Sequence, residues 1–252
     1  MASSDTRGSL CRTSRTRTRH WTADAIPDLG GRVHVVPGAT GGPGLATTRA
    51  LALRGGRVVL AVRDEERGRR AVAGLTGPPL DRLPDDGRVV TVSSPVHRQG
   101  RLRLGDPAGE RGYAPTAFSN GSKPANAVFG HELHRRLTAA GRPVRSVLAH
   151  PGYTATALRT KDVTGLARFF YGRIGNPLLA QRPERGALPQ LYAATAPEAG
   201  GGDFIGPDGP GGLRGFPTRV KPSAAAADPE AGRRLWDLSE ELTGVRYGLT
   251  AS

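Results

Sequence analysis

Arg32-Val33-His34-Val35-Val36-Pro37-Gly38-Ala39-Thr40-Gly41-Gly42-Pro43-Gly44 is the stretch on which the fold turns. Its first five residues form a short β-rich run, and a glycine-rich turn follows at once. A helical stretch over about 45–54 comes next, with Leu45, Leu51 and Leu53 among alanines, and it stops at Gly55-Gly56. Residues 57–62 then read as a second strand, whose continuous apolar run suits a parallel strand covered on both faces. Gly38, Gly42 and Gly44 stand in a G-x-x-x-G-x-G spacing where strand gives way to helix. Glycine there lets the backbone turn tightly and come close to a pyrophosphate. The helix N-terminus supplies N–H donors and positive potential to the same anion. Because strand, turn, helix and strand fall in order, the reading is a nucleotide-binding βαβ start rather than an ordinary turn.

Working outward, Asp64 caps an expected helix to about Leu75, and Gly77-Pro78-Pro79 breaks it. A third strand is expected over 88–92, leading into Ser93-Ser94. A loop rich in Gly and Arg follows, then a helix over about 124–140 with Val128, Phe129, Leu133 and Leu137 on one side. A fourth strand over 144–148 ends at His150-Pro151-Gly152, and residues 160–195 read as helical in pieces. Residues 203–206 make a short last strand. A final helix over 228–242 carries Asp228 as its cap and Pro229 at its first position. Strands alternating with helices predict an α/β fold with a mostly parallel sheet.

The composition bounds the rest. A chain of 252 residues suits one α/β domain, here placed at 31–252 after a disordered basic tail and lead-in segment at 1–30. The formal net charge is +14 and lysine occurs only at Lys123, Lys161 and Lys221, so the excess is arginine. No nucleic-acid module or aromatic platform accompanies that charge, so the arginines read as a solvated surface and no nucleic-acid partner is expected. A single cysteine, Cys11, excludes an internal disulfide and fits a reducing, cytoplasmic setting. No apolar run approaches membrane-spanning length. No metal site is indicated.

Several motifs in order resemble the short-chain dehydrogenase/reductase family, over about residues 21–248. The glycine turn resembles the family's Thr-Gly-x-x-x-Gly-x-Gly, with Pro37 in place of the threonine and Pro43 in place of a residue with a free N–H. Val90-Thr91-Val92-Ser93-Ser94 resembles the strand that delivers the catalytic serine, at Ser94. Ser122-Lys123-Pro124-Ala125-Asn126 resembles the run holding the catalytic lysine, at Lys123. His150-Pro151-Gly152-Tyr153-Thr154-Ala155-Thr156 resembles the loop over the nicotinamide. Arg214-Gly215-Phe216-Pro217 and Glu241-Leu242-Thr243-Gly244-Val245 are similar to the retinol-dehydrogenase-like bacterial branch.

The resemblance implies a Rossmann-type three-layer fold and an NAD(P)-dependent oxidoreductase acting on a small-molecule carbonyl or alcohol. It implies coenzyme contacts from Gly38, Thr40, Gly42, Gly44, Arg63, Lys123, Pro151, Gly152 and Thr156. Arg63, directly after the second strand, favours the 2′-phosphate of NADP, with NAD as the alternative.

Three departures point to impaired or absent chemistry, with a non-catalytic, NADP-binding pseudoenzyme or a degenerate gene product as the alternative. The tyrosine belongs four residues before Lys123, where Ser119 stands beside Phe118; Tyr113 lies ten residues before the lysine. The stretch between Leu75 and Arg88 is too short for the two strands, the Asn-Asn-Ala-Gly motif and the helix that the family places there. Pro124 is expected to push Lys123 away from helical backbone angles. With a central strand missing, the sheet is expected to close up into about five strands. The strand at 88–92 would then pair directly with that at 33–36, and the helix at 64–75 would cross on the face opposite the helix at 45–54.

Overall fold

A computed structural model describes residues 20–61, 84–107, 109–154, 180–246 and 249. The expected helix at 64–75, its crossover face, Arg63 and Thr156 lie outside these residues.

The first βαβ unit forms as the sequence predicts. Strand β1 (Val33–Pro37) runs into the glycine turn, helix α1 (Gly42–Leu53) follows, and β2 (Arg57–Ala61) pairs parallel with β1. Strand β3 (Arg88–Val92) pairs parallel with β4 (Arg145–Ala149), and β4 with β5 (Phe204–Pro207). A strand not foreseen, β6 (Pro217–Arg219), closes the edge antiparallel to β5. Helix α2 (Pro115–Ala139) joins β3 to β4 and lies on that sheet. Helix α3 (Pro183–Thr195) packs on its other face, against β3, β4 and β5. Two C-terminal helices, α4 (Ala224–Ala227) and α5 (Pro229–Thr243), cover α2, and the Asp228 carboxylate accepts from the Glu230 N–H as the expected cap.

The expected closure of the sheet does not occur. β1 and β2 form one two-stranded sheet, and β3, β4, β5 and β6 form another, in that order. β1 and β3 face each other across a cavity of about 730 Å³, lined on one side by Val33, Val35 and Val36 and on the other by Val89, Val90 and Val92. Helix packing gives the physical reason. α1 lies on β1 and β2, α3 lies on β3 and β4, and the two helices pack against each other. Packed helices need about 8–10 Å between axes, whereas neighbouring strands sit about 4.8 Å apart. Side-by-side helices, each tied to its own sheet, therefore hold β1 and β3 apart, with no ladder between them.

The segment before β1 belongs to the domain as well. Ile26 and Leu29 are buried in one cluster with Leu51, Val58, Ala187 and Leu191, and Trp21 meets Tyr192 edge-on. The lead-in, which the sequence reading placed ahead of the domain, contributes core from residue 21 onward.

Helix α2 begins nine residues before the expected start and runs through Pro124, so Lys123 sits on the helix. This corrects the expectation that proline would displace it. A mid-helix proline forfeits one bond and crowds the carbonyl four residues back, typically costing about 3 kcal/mol. Here that carbonyl, of Asn120, lies against Gly100, where a Cβ would stand 2.4 Å from its oxygen and 2.9 Å from Pro124 Cδ. The Ser93 hydroxyl adds a bond across to the Lys123 carbonyl at 2.9 Å. On the outer side of α2, the buried Glu132 carboxylate takes Arg135 at 2.7 Å and Arg136 at 2.8 Å, and Phe129 stacks on Trp236 of α5.

Candidate coenzyme and active site

The glycine turn has the shape its spacing calls for. Gly38 adopts a left-handed backbone (φ 67°), which re-aims the chain from β1 towards α1. Gly44 lies so close to that turn that a Cβ there would stand 2.3 Å from the Gly38 carbonyl oxygen. At Gly38 and Gly41 the space beyond the backbone is open. No side chain caps α1, and Leu45 is the residue whose N–H closes back onto the Gly41 carbonyl, at 3.2 Å. The turn is thus an open, amide-lined helix N-terminus of the kind that receives phosphate. Pro43, in the first turn, withholds one donor, as its sequence position implies. Thr40 sits half-buried within the turn.

The cavity between the two sheets opens onto this turn. Gly38, Gly41 and Gly44 line it from the first half of the molecule, and Asn126 and Pro151 from the second. Its volume lies within the range of about 300–1,000 Å³ usual for small-molecule sites.

Of the other predicted residues, Ser94 follows β3, Pro151 and Gly152 follow β4, and Lys123 lies on α2 with its carbonyl bonded to Ser93. Ser94 is half-buried, and its Oγ accepts from the Val96 N–H at 3.3 Å, opening a short 3₁₀ turn. Its carbonyl is held at 2.7 Å by His97 Nδ1, which must carry the hydrogen because a carbonyl can only accept. Lys123 is half-buried on α2, with its backbone tied to Ser93 beside Ser94. Asn126, one turn further on, donates its amide to the Val92 carbonyl at 2.9 Å, at the end of β3 that borders the cavity.

Pro151 and Gly152 leave β4 in a fixed loop. The Pro151 carbonyl accepts Gln181 Nε2 at 2.6 Å and the Thr154 hydroxyl at 3.0 Å. Gly152 is left-handed (φ 66°), and a Cβ there would meet the Leu213 carbonyl at 2.4 Å. His150, just before, accepts the Gly152 N–H on Nδ1.

Burial sets the charge of the histidines. Desolvation, with smaller contributions from neighbouring cationic groups, brings His150 and His131 down to about 4. His97 is lowered by burial against the opposing Ser94 bond, and His34, on β1, by burial and then Arg32. All four stand neutral near pH 7 and add no charge to the site. Arg88 lines the cavity, yet its guanidinium is committed to the Ala193 and Ala196 carbonyls at 3.1 and 2.7 Å, at the C-terminal end of α3. Arg145 reaches the Ala199 carbonyl close by.

The position four residues before Lys123 holds Ser119, exposed on α2. Tyr113 precedes the helix, is 67% exposed, and lies against Phe118. Sequence reasoning missed Gln190 and Gln181, which reach the glycine turn and the Pro151 loop from a distant part of the chain. Gln190 is a lone glutamine on α3 and Gln181 lies in the bridge to Thr154 before it, and neither carries a spacing signal that would have found it.

No family model matches the chain. It is 31% identical to the polyprenol dehydrogenase of Mus musculus, over 88% of this chain and 87% of that protein. That alignment spans 304 positions, more than the 252 residues here, so the mouse protein has stretches without a counterpart. A dehydrogenase/reductase SDR family member 13 from Bos taurus is 29% identical, over 88% of this chain and 76% of that protein. The solved structure of an uncharacterized protein from Mycobacterium paratuberculosis superposes with a TM-score of 0.71 at 30% identity, covering 90% of this chain and 99% of that one. The chain belongs to the short-chain dehydrogenase/reductase family, and its fold is the Rossmann-type α/β arrangement with the sheet split in two.

Proposed function

We propose that this protein binds NADP(H) across the cavity and is an oxidoreductase of carbonyl or alcohol substrates whose turnover is strongly impaired. The open amide N-terminus of α1, with Gly44 packed on the Gly38 carbonyl, is the observation that carries the coenzyme reading. The residues present fit the group: a side chain at Gly44 would fill the cradle, and the turn amides have no side-chain cap. Arg63, by resemblance, favours NADP over NAD.

When bound, the coenzyme supplies or accepts a hydride at a substrate carbon. The chain's own residues divide the remaining work. The glycine-turn amides hold the pyrophosphate, and Lys123 holds the ribose. The loop at Pro151-Gly152, with Thr156 by resemblance, covers the nicotinamide. The Ser94 hydroxyl orients the substrate oxygen, with His97 fixing its backbone.

Reduction also needs a proton on that oxygen. At the family's tyrosine position Ser119 offers an alkyl hydroxyl, shorter and far less acidic than a phenol. Positioned general acid catalysis typically contributes about 10²–10⁴-fold, so its loss reduces the rate by that order. The same geometry also suits a non-catalytic NADP-binding protein, in which binding is retained and turnover is nil.

A calorimetric NADPH titration tests the coenzyme reading; saturable binding is expected, and none would overturn it. NADPH oxidation with a panel of aldehydes and ketones tests the chemistry. Ser119→Tyr, which puts a phenol one turn before Lys123, is expected to raise the rate about 100-fold or more. An unchanged rate would reject the missing donor as the cause of low activity.

A further inference from the structure

α1 and α3 meet at a polar contact set among apolar residues. Gln190 Nε2 donates to Thr47 Oγ1 at 2.6 Å and, more loosely, to the Pro43 carbonyl at 3.4 Å. The Thr47 hydroxyl donates to the same Pro43 carbonyl at 2.8 Å. This arrangement fixes the amide's orientation. The single hydroxyl hydrogen is used on Pro43, so Thr47 Oγ1 can only accept, and the group facing it must be the NH₂ of Gln190. Gln190 is 9% exposed and lines the cavity, while its Oε1 is buried without a hydrogen-bond partner among the described residues.

We infer that Gln190 is a positioning residue for the coenzyme site, holding the first turn of α1 in register with the second half of the molecule. The inference rests on the coenzyme reading above. A dinucleotide gripped at the glycine turn must also reach Ser94, Lys123 and Pro151, which stand on the other sheet. No strand ladder joins β1 to β3, so the spacing of the two ends of the site is set where α1 packs on α3. Gln190 is the hydrogen-bonding group in that contact that touches the phosphate-facing turn itself, through Pro43 and Thr47. The buried Oε1 is left to accept a donor from the cavity, where an unmet carbonyl is otherwise costly.

Four variants of the full chain, Gln190→Met, Thr47→Val, Thr47→Ser and the double Gln190→Met/Thr47→Val, test this. NADPH affinity is measured by calorimetry, and amide hydrogen exchange is followed without ligand. Gln190→Met and Thr47→Val are each expected to weaken NADPH binding about 3–10-fold, the worth of one such hydrogen bond. The double variant is expected to lose little more than either single one, because both remove the same network. Thr47→Ser, which keeps the hydroxyl, is expected to stay within about 2-fold of the unmodified protein.

Exchange at the first-turn amides of α1 is expected to quicken in Gln190→Met, with that of α5 unchanged. Wild-type affinity together with unchanged α1 exchange in Gln190→Met would overturn the inference, and so would strict additivity in the double variant. If Gln190→Met does not fold, Thr47→Val against Thr47→Ser reads the same joint from α1. If the unmodified protein fails to bind NADPH, the coenzyme reading falls, and the ligand-free exchange comparison alone decides whether the joint positions α1.

Discussion

The two halves of this molecule are built to different standards. In the second, β4 is buried along Ser146, Val147, Leu148 and Ala149, with α2 on one face and α3 on the other. In the first, β1 has one strand neighbour, and Val33 and Val35 remain 39% and 36% exposed. Yet the thinner half carries the glycine turn. A βα turn can keep its phosphate-receiving shape on two strands, provided that its helix is braced from outside. The brace here is α3 together with Ile26 and Leu29, not a neighbouring strand.

The contrast is open to direct attack by substitution. Leu148→Ala empties a fully buried position in the second sheet and is expected to cost about 2–5 kcal/mol in chemical denaturation. Val35→Ala on β1 is expected to cost less than about 1 kcal/mol. Equal costs would mean that the first half is as tightly packed as the second.

Gly44→Val comes next. Its Cβ cannot fit 2.3 Å from the Gly38 oxygen, so the turn must shift. Overpacking of this kind costs about 1–3 kcal/mol, and saturable NADPH binding is expected to vanish while the second half keeps its exchange protection.

A further difference lies in the histidines of the second half, which act only through pH. His131 and His150 titrate near 4 when folded and near 6.5 when unfolded. The unfolded chain binds the proton more readily, so the stability this contributes is whole above about 6.5 and is lost as pH falls towards 4. His131→Leu is expected to flatten the slope of stability against pH in that window by up to one proton, and an unaltered slope would show that His131 is not neutral in the folded state.

These regions also differed in how far the sequence disclosed them. The βαβ start was legible because glycine spacing, strand composition and helix length are local signals. The cap of α5 was legible for the same reason, since Asp228 followed by Pro229 acts within one turn. The split of the sheet was not. It follows from two helices, α1 and α3, that lie more than a hundred residues apart and cannot approach as closely as two strands. Pro124 misled because proline's local preference is real, while the relief at Gly100 comes from another segment. Ser94 and Lys123 were named only through family motifs; what the structure adds is the bond from the Ser93 hydroxyl to the Lys123 carbonyl. The reach of Gln190 to Thr47 was not foreseen, since nothing in the spacing of a glutamine announces its partner.

Arg88 and Arg145 start adjacent strands, and both end on peptide carbonyls near the close of α3 rather than on carboxylates. Ionic strength therefore acts unevenly on this chain. A guanidinium held by a partly buried carbonyl dipole is poorly screened, while the mutual repulsion of the surface arginines, in a protein of net charge +14, is screened over about 8–10 Å. Added salt is expected to leave the arginine clasp at the helix end intact and to quiet the repulsion around it, so that stability rises with ionic strength in chemical denaturation.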